Sequence, residues 1–145
     1  MDQIAYNASV IRRLYDEAMN RRNVALVDSL IAPAVTVQAQ SAPKATLPRE
    51  GFKNVLLTQW RNTPDHQYQI LDLIAFQDRV AVRLKATYKH TLPAGNIPPT
   101  GRMLEAKELC FYRLEQGLIV EVTTLVDEAG IIQQCAPTPG AVGRW

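Results

Sequence analysis

The chain has 145 residues, 47% of them hydrophobic and 21% charged, with a formal net charge of +2. That suffices for one domain with its own apolar core and no disulfide or metal staple. The small charge, with no run of five or more basic residues, excludes the electrostatic footprint of a nucleic-acid-binding protein.

The N-terminal stretch "MDQIAYNASVIRRLYDEAMNRRN" interrupts every apolar run with acids or arginines, so it does not read as a secretory leader. Apolar Ile4, Ala8, Ile11, Leu14, Tyr15 and Ala18 recur at three and four residues and predict an amphipathic helix over 4–20. Arg12, Arg13, Asp16 and Glu17 form its wet side. Asn23 is placed to cap a second helix, "VALVDSLIA", which Pro33 ends. "VTVQAQ" alternates with period two and reads as a short strand, and "SAPKATLP" reads as a loop. Residues 49–62 predict a third helix with Phe52, Val55, Leu56 and Trp60 on one face.

Strands follow. "HQYQILDLIAFQ" and "RVAVRLKATYKHTL" predict a hairpin turning at "QDR", and "MLEAKELCFYRLEQGLIVEVTTLVD" a second turning at "EQG". Between them "PAGNIPPTGR" is a loop, because its prolines forbid regular structure and its glycines supply turns. "EAGIIQQC" predicts a last short helix, with 136–145 an irregular tail. No repeat or linker divides 1–145, so the expectation is a single α+β domain in which three helices pack on one face of a four-strand antiparallel meander. No stretch approaches the ~18 apolar residues of a membrane span. Cys110 and Cys135 read as the reduced thiols of a cytoplasmic protein.

The period of two assigns strand faces. Val80, Val82, Leu84, Ala86 and Tyr88 share an inward face; Arg79, Arg83, Lys85 and Lys89 lie on the other. In "AKELCFYRL", Glu108, Cys110 and Tyr112 share one face and Leu109 and Phe111 the other. Both are partly apolar and both need cover. Helices supply one, and a second copy of the chain is expected to supply the other as a homodimer.

Taken in order, "VIRRLYDEAMNRRN", "LIAPAV", "REGFKNVL", "ILDLIAFQDRVAVRL", "IPPTGR", "FYRLEQGLIVE" and "DEAGIIQQ" resemble the SnoaL-like polyketide cyclase and ester cyclase family. The resemblance implies the cone fold shared with nuclear transport factor two, in which a curved sheet and three helices enclose an apolar pocket, usually in a dimer formed through the sheet. It also implies an aspartate on the last strand as general acid/base, helped by a polar residue on the preceding strand. The matching positions here are Thr124 and Cys110. Neither a hydroxyl nor an unperturbed thiol is a base near neutral pH, so that mechanism does not transfer.

The expectation is therefore a cofactor-independent cyclase or isomerase of a hydrophobic polyketide-like or terpenoid-like intermediate, acting by imposed conformation and hydrogen bonding. The alternatives are a non-catalytic small-molecule binder, or an acid/base enzyme using Glu108. The candidate catalytic residues are Glu108, Tyr88 and Thr124. Tyr15, Gln38, Trp60, Leu84, Ala86, Cys110, Tyr112 and Val122 are the candidate substrate-binding residues. Glu108 is either a desolvated cavity carboxyl or a rim residue paired with Lys85, Lys107 or Arg102. Tyr15 and Tyr88 either aim phenols at the ligand or pack in the core. Gln38, where the family often carries a cavity histidine, either hydrogen-bonds a ligand carbonyl or has a structural role, and it cannot relay protons. His90, at a strand end, is expected to be exposed, and no residues stand at metal-ligand spacing.

Overall fold

The computed structural model describes residues 2–40 and 42–136. Helix α1 (Gln3–Arg13) starts where the Asp2 carboxylate accepts the Ala5 N–H at 2.7 Å. It widens into a π-helical turn over Leu14–Met19, closed by Asn20 N–H to Tyr15 O at 2.8 Å. Ile11, Leu14, Tyr15, Ala18 and Met19 are buried on its inner side, while Arg12, Arg13 and Asp16 are exposed, as the periodicity requires. A 3₁₀ turn (Val24–Leu26) leads into α2 (Val27–Leu30). The helix ends two residues earlier than expected, and β1 (Ile31–Ala39) takes in Pro33. The stretch expected to be a loop contains a four-residue strand, β2 (Ala45–Pro48), and α3 (Arg49–Asn62) follows directly. On α3 Leu56 is buried and Phe52 and Trp60 pack against the core, but Val55 is 54% exposed and does not belong to that face.

The remaining elements are β3 (Gln67–Phe76), β4 (Arg79–Lys89), β5 (Met103–Glu115), β6 (Leu118–Val126) and α4 (Glu128–Cys135). The β5–β6 turn places Gln116 and Gly117 at φ +51° and +77°, the two left-handed positions of a tight hairpin. Six strands form one sheet in the order β2-β1-β6-β5-β4-β3. The expected meander supplies β3 to β6; β1 and β2 extend it, with β1 parallel to β6 and antiparallel to β2. This is the α+β cone: an open, curved, mostly antiparallel sheet with helices against its concave side.

The core lies between the α1 segment and the inward residues of the sheet, and it includes Val80, Val82, Leu84, Tyr112, Leu114 and Ile119. On the convex side Ile74, Phe76, Met103, Leu109, Phe111 and Leu125 are all more than half exposed. A groove of about 430 Å³ runs over Leu71, Leu109 and Leu125 between Arg83, Lys85 and Lys107. Both cysteines are buried and free. No helix among the described residues is long and apolar enough to cross a membrane. Of the expected tail, 137–145 lies outside the described residues.

Candidate active site

The pairing register lays out the concave face in rows. Leu84, Glu108 and Val126 stand side by side. The next row is Val82, Cys110, Thr124 and Ala39, and the one after it Val80, Tyr112, Val122 and Val37. Leu84 and Ala86 are fully buried and Val122 nearly so, which makes them wall. Glu108, Thr124 and Val126 stay partly accessible and Ala39 is exposed, so among the described residues the face remains open along these positions. That opening is the candidate cleft.

Glu108 makes no ion pair among the described residues. Lys85 instead approaches Glu105 at 3.8 Å, and Lys107 is exposed on the other face of the strand, so the expected rim pairing does not form. Burial pushes the Glu108 carboxyl up to about 7. Three phenols share its surroundings. Burial holds the Tyr68 and Tyr88 hydroxyls above their ordinary range, and the Glu108 charge adds to this. Tyr112 is raised further by burial and by the neighbouring Cys110 thiol.

Deeper in the wall, Tyr15 and Tyr112 share a short hydrogen bond between hydroxyls. Tyr15 is only 3% exposed and comes from the π-helical turn, where a widened backbone re-aims a side chain. Beside this pair, Thr124 Oγ1 donates to Cys110 Sγ at 3.5 Å. The Cys110 thiol is raised by burial, with hydrogen bonds from Thr124, Tyr15 and Tyr112 acting the other way. Tyr15, Cys110, Tyr112 and Thr124, picked from sequence as separate candidates, thus form one connected hydroxyl–thiol group. It is partnered within itself and has no base.

Gln38 stands elsewhere. It registers with exposed Thr123, while its neighbours Val37 and Ala39 register with Val122 and Thr124, so it lies on the convex face. The expected carbonyl contact does not form on the concave side. Gln40 closes this corner instead: its side chain accepts from Val126 N at 2.6 Å and donates to Val126 O at 3.2 Å. His90 is likewise not exposed. It is 2% accessible, with Nδ1 accepting from Thr100 N at 3.1 Å and lying 3.5 Å from Cys135 Sγ.

Two neighbours of the site, Tyr68 and His66, were not picked from sequence. Tyr68 is on the inward face opposite Ala86, and its hydroxyl accepts from Gln59 Nε2 at 3.0 Å. Its ring lies 5.3 Å from that of Tyr15. His66 stacks on Tyr88 at 4.8 Å with 8° between planes. Burial, reinforced by the Arg22 charge, lowers its imidazole to about 4. The alternation Tyr68, Ile70 was the available signal for the first. Trp60 packs at the cleft's α3 side beneath the Arg22 guanidinium, 5.3 Å from the ring centroid. No three metal-ligating side chains converge among the described residues.

The profile of the SnoaL-like polyketide cyclase family matches residues 9–135. The chain belongs to this family. Among solved structures it is similar to wild-type IdmH, a candidate polyketide cyclase from Streptomyces antibioticus, at 30% identity and a TM-score of 0.76 over 88% of this chain and 96% of that one. A candidate polyketide cyclase from Acidithiobacillus ferrooxidans superposes with a TM-score of 0.80 at 22% identity, over 93% and 97% of the two chains. AclR, a candidate hydroxylase from Streptomyces galilaeus, gives 0.75 at 18% identity, over 94% and 89%. The last two likenesses speak for the fold alone. No curated protein matches the chain. In this chain Thr124 bonds to Cys110, and the nearby inward carboxyl is Glu108.

Proposed function

We propose that this SnoaL-like protein is a cofactor-independent cyclase or isomerase of a hydrophobic polyketide-like or terpenoid-like intermediate, with Glu108 as its proton-transfer group. The observation that carries this reading is the state of that side chain. It is inward, without an ion-pair partner among the described residues, and raised by burial to about 7. A carboxyl at that value divides between acid and base near neutral pH, the condition under which one group can both take and return a proton. As carboxylate it can remove a proton from a carbon made acidic by an adjacent carbonyl. As carboxylic acid it can deliver that proton to the oxygen that becomes a hydroxyl after ring closure. Tyr88, whose hydroxyl makes no hydrogen bond to a described residue, is available to donate to the developing oxyanion. Val126 and Ala39 border the opening that takes the substrate, and the buried Leu84, Ala86 and Val122 pack beneath it.

A second reading is supported by the Thr124–Cys110 pairing, which leaves the family's usual acid/base position without a base. In it the cleft only imposes a reactive conformation, and turnover needs no proton transfer by the protein. The rate–pH profile separates the two. Glu108→Gln keeps shape and hydrogen-bonding capacity, and under the first reading it lowers turnover roughly 10²- to 10⁴-fold and abolishes the inflection near neutral pH. An unchanged rate leaves the conformational reading, and ligand binding without turnover leaves a binding protein. The proposal places the enzyme in the cytoplasm as a homodimer. The supporting feature for the dimer is the convex apolar face, with Phe111 60% and Leu109 51% exposed, too extensive to be left to water in a monomer.

A further inference from the structure

Two buried side-chain nitrogens, Trp60 Nε1 and His66 Nε2, have no hydrogen-bond partner among the described residues. Buried polar atoms are partnered in the great majority of cases, and each exception calls for a reason. Their chemistry is set by their neighbours. Thr63 Oγ1 donates its hydrogen to Gln59 O at 2.9 Å, and so can only accept from His66 Nδ1, 3.1 Å away. The ring proton therefore sits on Nδ1 and leaves Nε2 a bare acceptor. The ring cannot easily turn to relieve this. It is stacked against Tyr88 and tilted against Tyr68, each at 4.8 Å, and the His66 carbonyl accepts from Arg22 Nη2 at 2.8 Å. Trp60 Nε1 is a donor only, on a ring packed against the core beneath Arg22. Arg22 joins the two, its guanidinium over the Trp60 ring and donating to the His66 carbonyl, and His66 packs on Tyr68 and Tyr88, the phenols whose hydroxyls feel the Glu108 charge.

We propose that these two atoms form a polar subsite of the cleft, which reads a carbonyl oxygen at Trp60 and a hydroxyl at His66 of a hydroxy-carbonyl ligand. The inference rests on the cleft being a small-molecule site and adds the ligand's chemistry. Both atoms are shut off from bulk water, so a group that enters the wall meets little competition there. An alkyl analogue lacks the acceptor that Trp60 Nε1 needs, and an ether lacks the donor that His66 Nε2 needs.

Calorimetry on two ring-matched probe pairs tests this without turnover. The pairs are 1-naphthol against 1-methoxynaphthalene, and 1-acetylnaphthalene against 1-ethylnaphthalene. The unmodified protein should favour the first member of each pair roughly 10-fold. His66→Phe should erase the preference within the first pair alone, and Trp60→Phe within the second alone. Should His66→Phe fail to fold, the ¹⁵N resonance of His66 Nε2 in the unmodified chain still reports. It should move upfield with 1-naphthol and stay with 1-methoxynaphthalene. Equal affinities within both pairs, an unmoved Nε2 resonance, or no binding of any of the four probes overturns the subsite. Discrimination without turnover of any substrate upholds it while removing the enzymatic reading; turnover without discrimination does the reverse.

Discussion

Replacing Glu108 by Gln tests the cleft through stability as well as rate. In the folded chain the carboxyl titrates near 7, against an ordinary value of 4.5. Its pKa is raised on folding, so its contribution to stability is fully present below pH 4.5 and is lost as pH rises through 7. The loss amounts to about 3 kcal/mol. Gln has no charge to bury. Urea unfolding should therefore find Glu108→Gln equal to the parent at pH 4 and more stable by about 3 kcal/mol at pH 7.5. His66 supplies an opposing slope. Its pKa falls from 6.5 to about 4 on folding, so its contribution is present above 6.5 and is lost as pH drops through 4. The two slopes overlap and partly cancel in the parent, and the substitution uncovers the histidine's. A stability difference that is the same at pH 4 and 7.5 would refute the account of a desolvated, unpaired carboxyl.

The remaining predictions concern the wall and the convex face. Tyr15→Phe leaves the buried Tyr112 hydroxyl only the weak Cys110 thiol as partner and should cost about 1–3 kcal/mol by chemical denaturation. Adding Tyr112→Phe should then cost little more, because both polar ends are gone; additive losses would deny the coupling. Thr124→Asp should reduce stability by about 1–3 kcal/mol and bring no gain in turnover, since it sets a charge against the Cys110 thiol and buried phenols. A faster variant would mean that the family's acid/base mechanism is still latent in the site. Phe111→Glu should convert a dimer into a species of 16.2 kDa by light scattering, and a parent already at that mass would remove the dimer.

The sheet was legible where strands are long and one face is buried. In β4 and β5 the alternation put Val80, Val82, Leu84 and Ala86 inward and Leu109 and Phe111 outward, and the structure does the same. It failed where local signals compete. Pro33 reads as a helix stop, yet an exposed place near a strand's start tolerates a residue without an N–H. β2 is too short to alternate visibly. Gln38 went to the wrong face because its place was taken from a resemblance, whereas Val35 and Val37, two residues apart, fix the opposite phase. In β3 a bulge between Ile70 and Asp72 shifts the phase mid-strand, which hides Tyr68's kinship with Leu73 and Ala75. His90 is buried by residues distant in sequence, Thr100 and Cys135, and no local pattern announces that.

Two glutamines, Gln40 and Gln134, decide how the sheet ends. β5 runs past the end of β6, and a free length of its edge would be an invitation for another chain to add a strand. Asp127 N reaches Lys107 O at 2.9 Å, and the Gln134 amide of α4 then takes both backbone groups of Glu105, at 2.8 and 2.7 Å. Gln40 does the same for Val126 at the end of β1. Side chains thus finish the ladders where the backbone stops. The outer edges are blunted by other means: β2 is four residues long and ends in Pro48, and β3 carries the bulge. A molecule with a wide exposed apolar face is in this way protected from open-ended fibre growth beside it. In the proposed homodimer association is confined to the face, where two copies close on each other and stop.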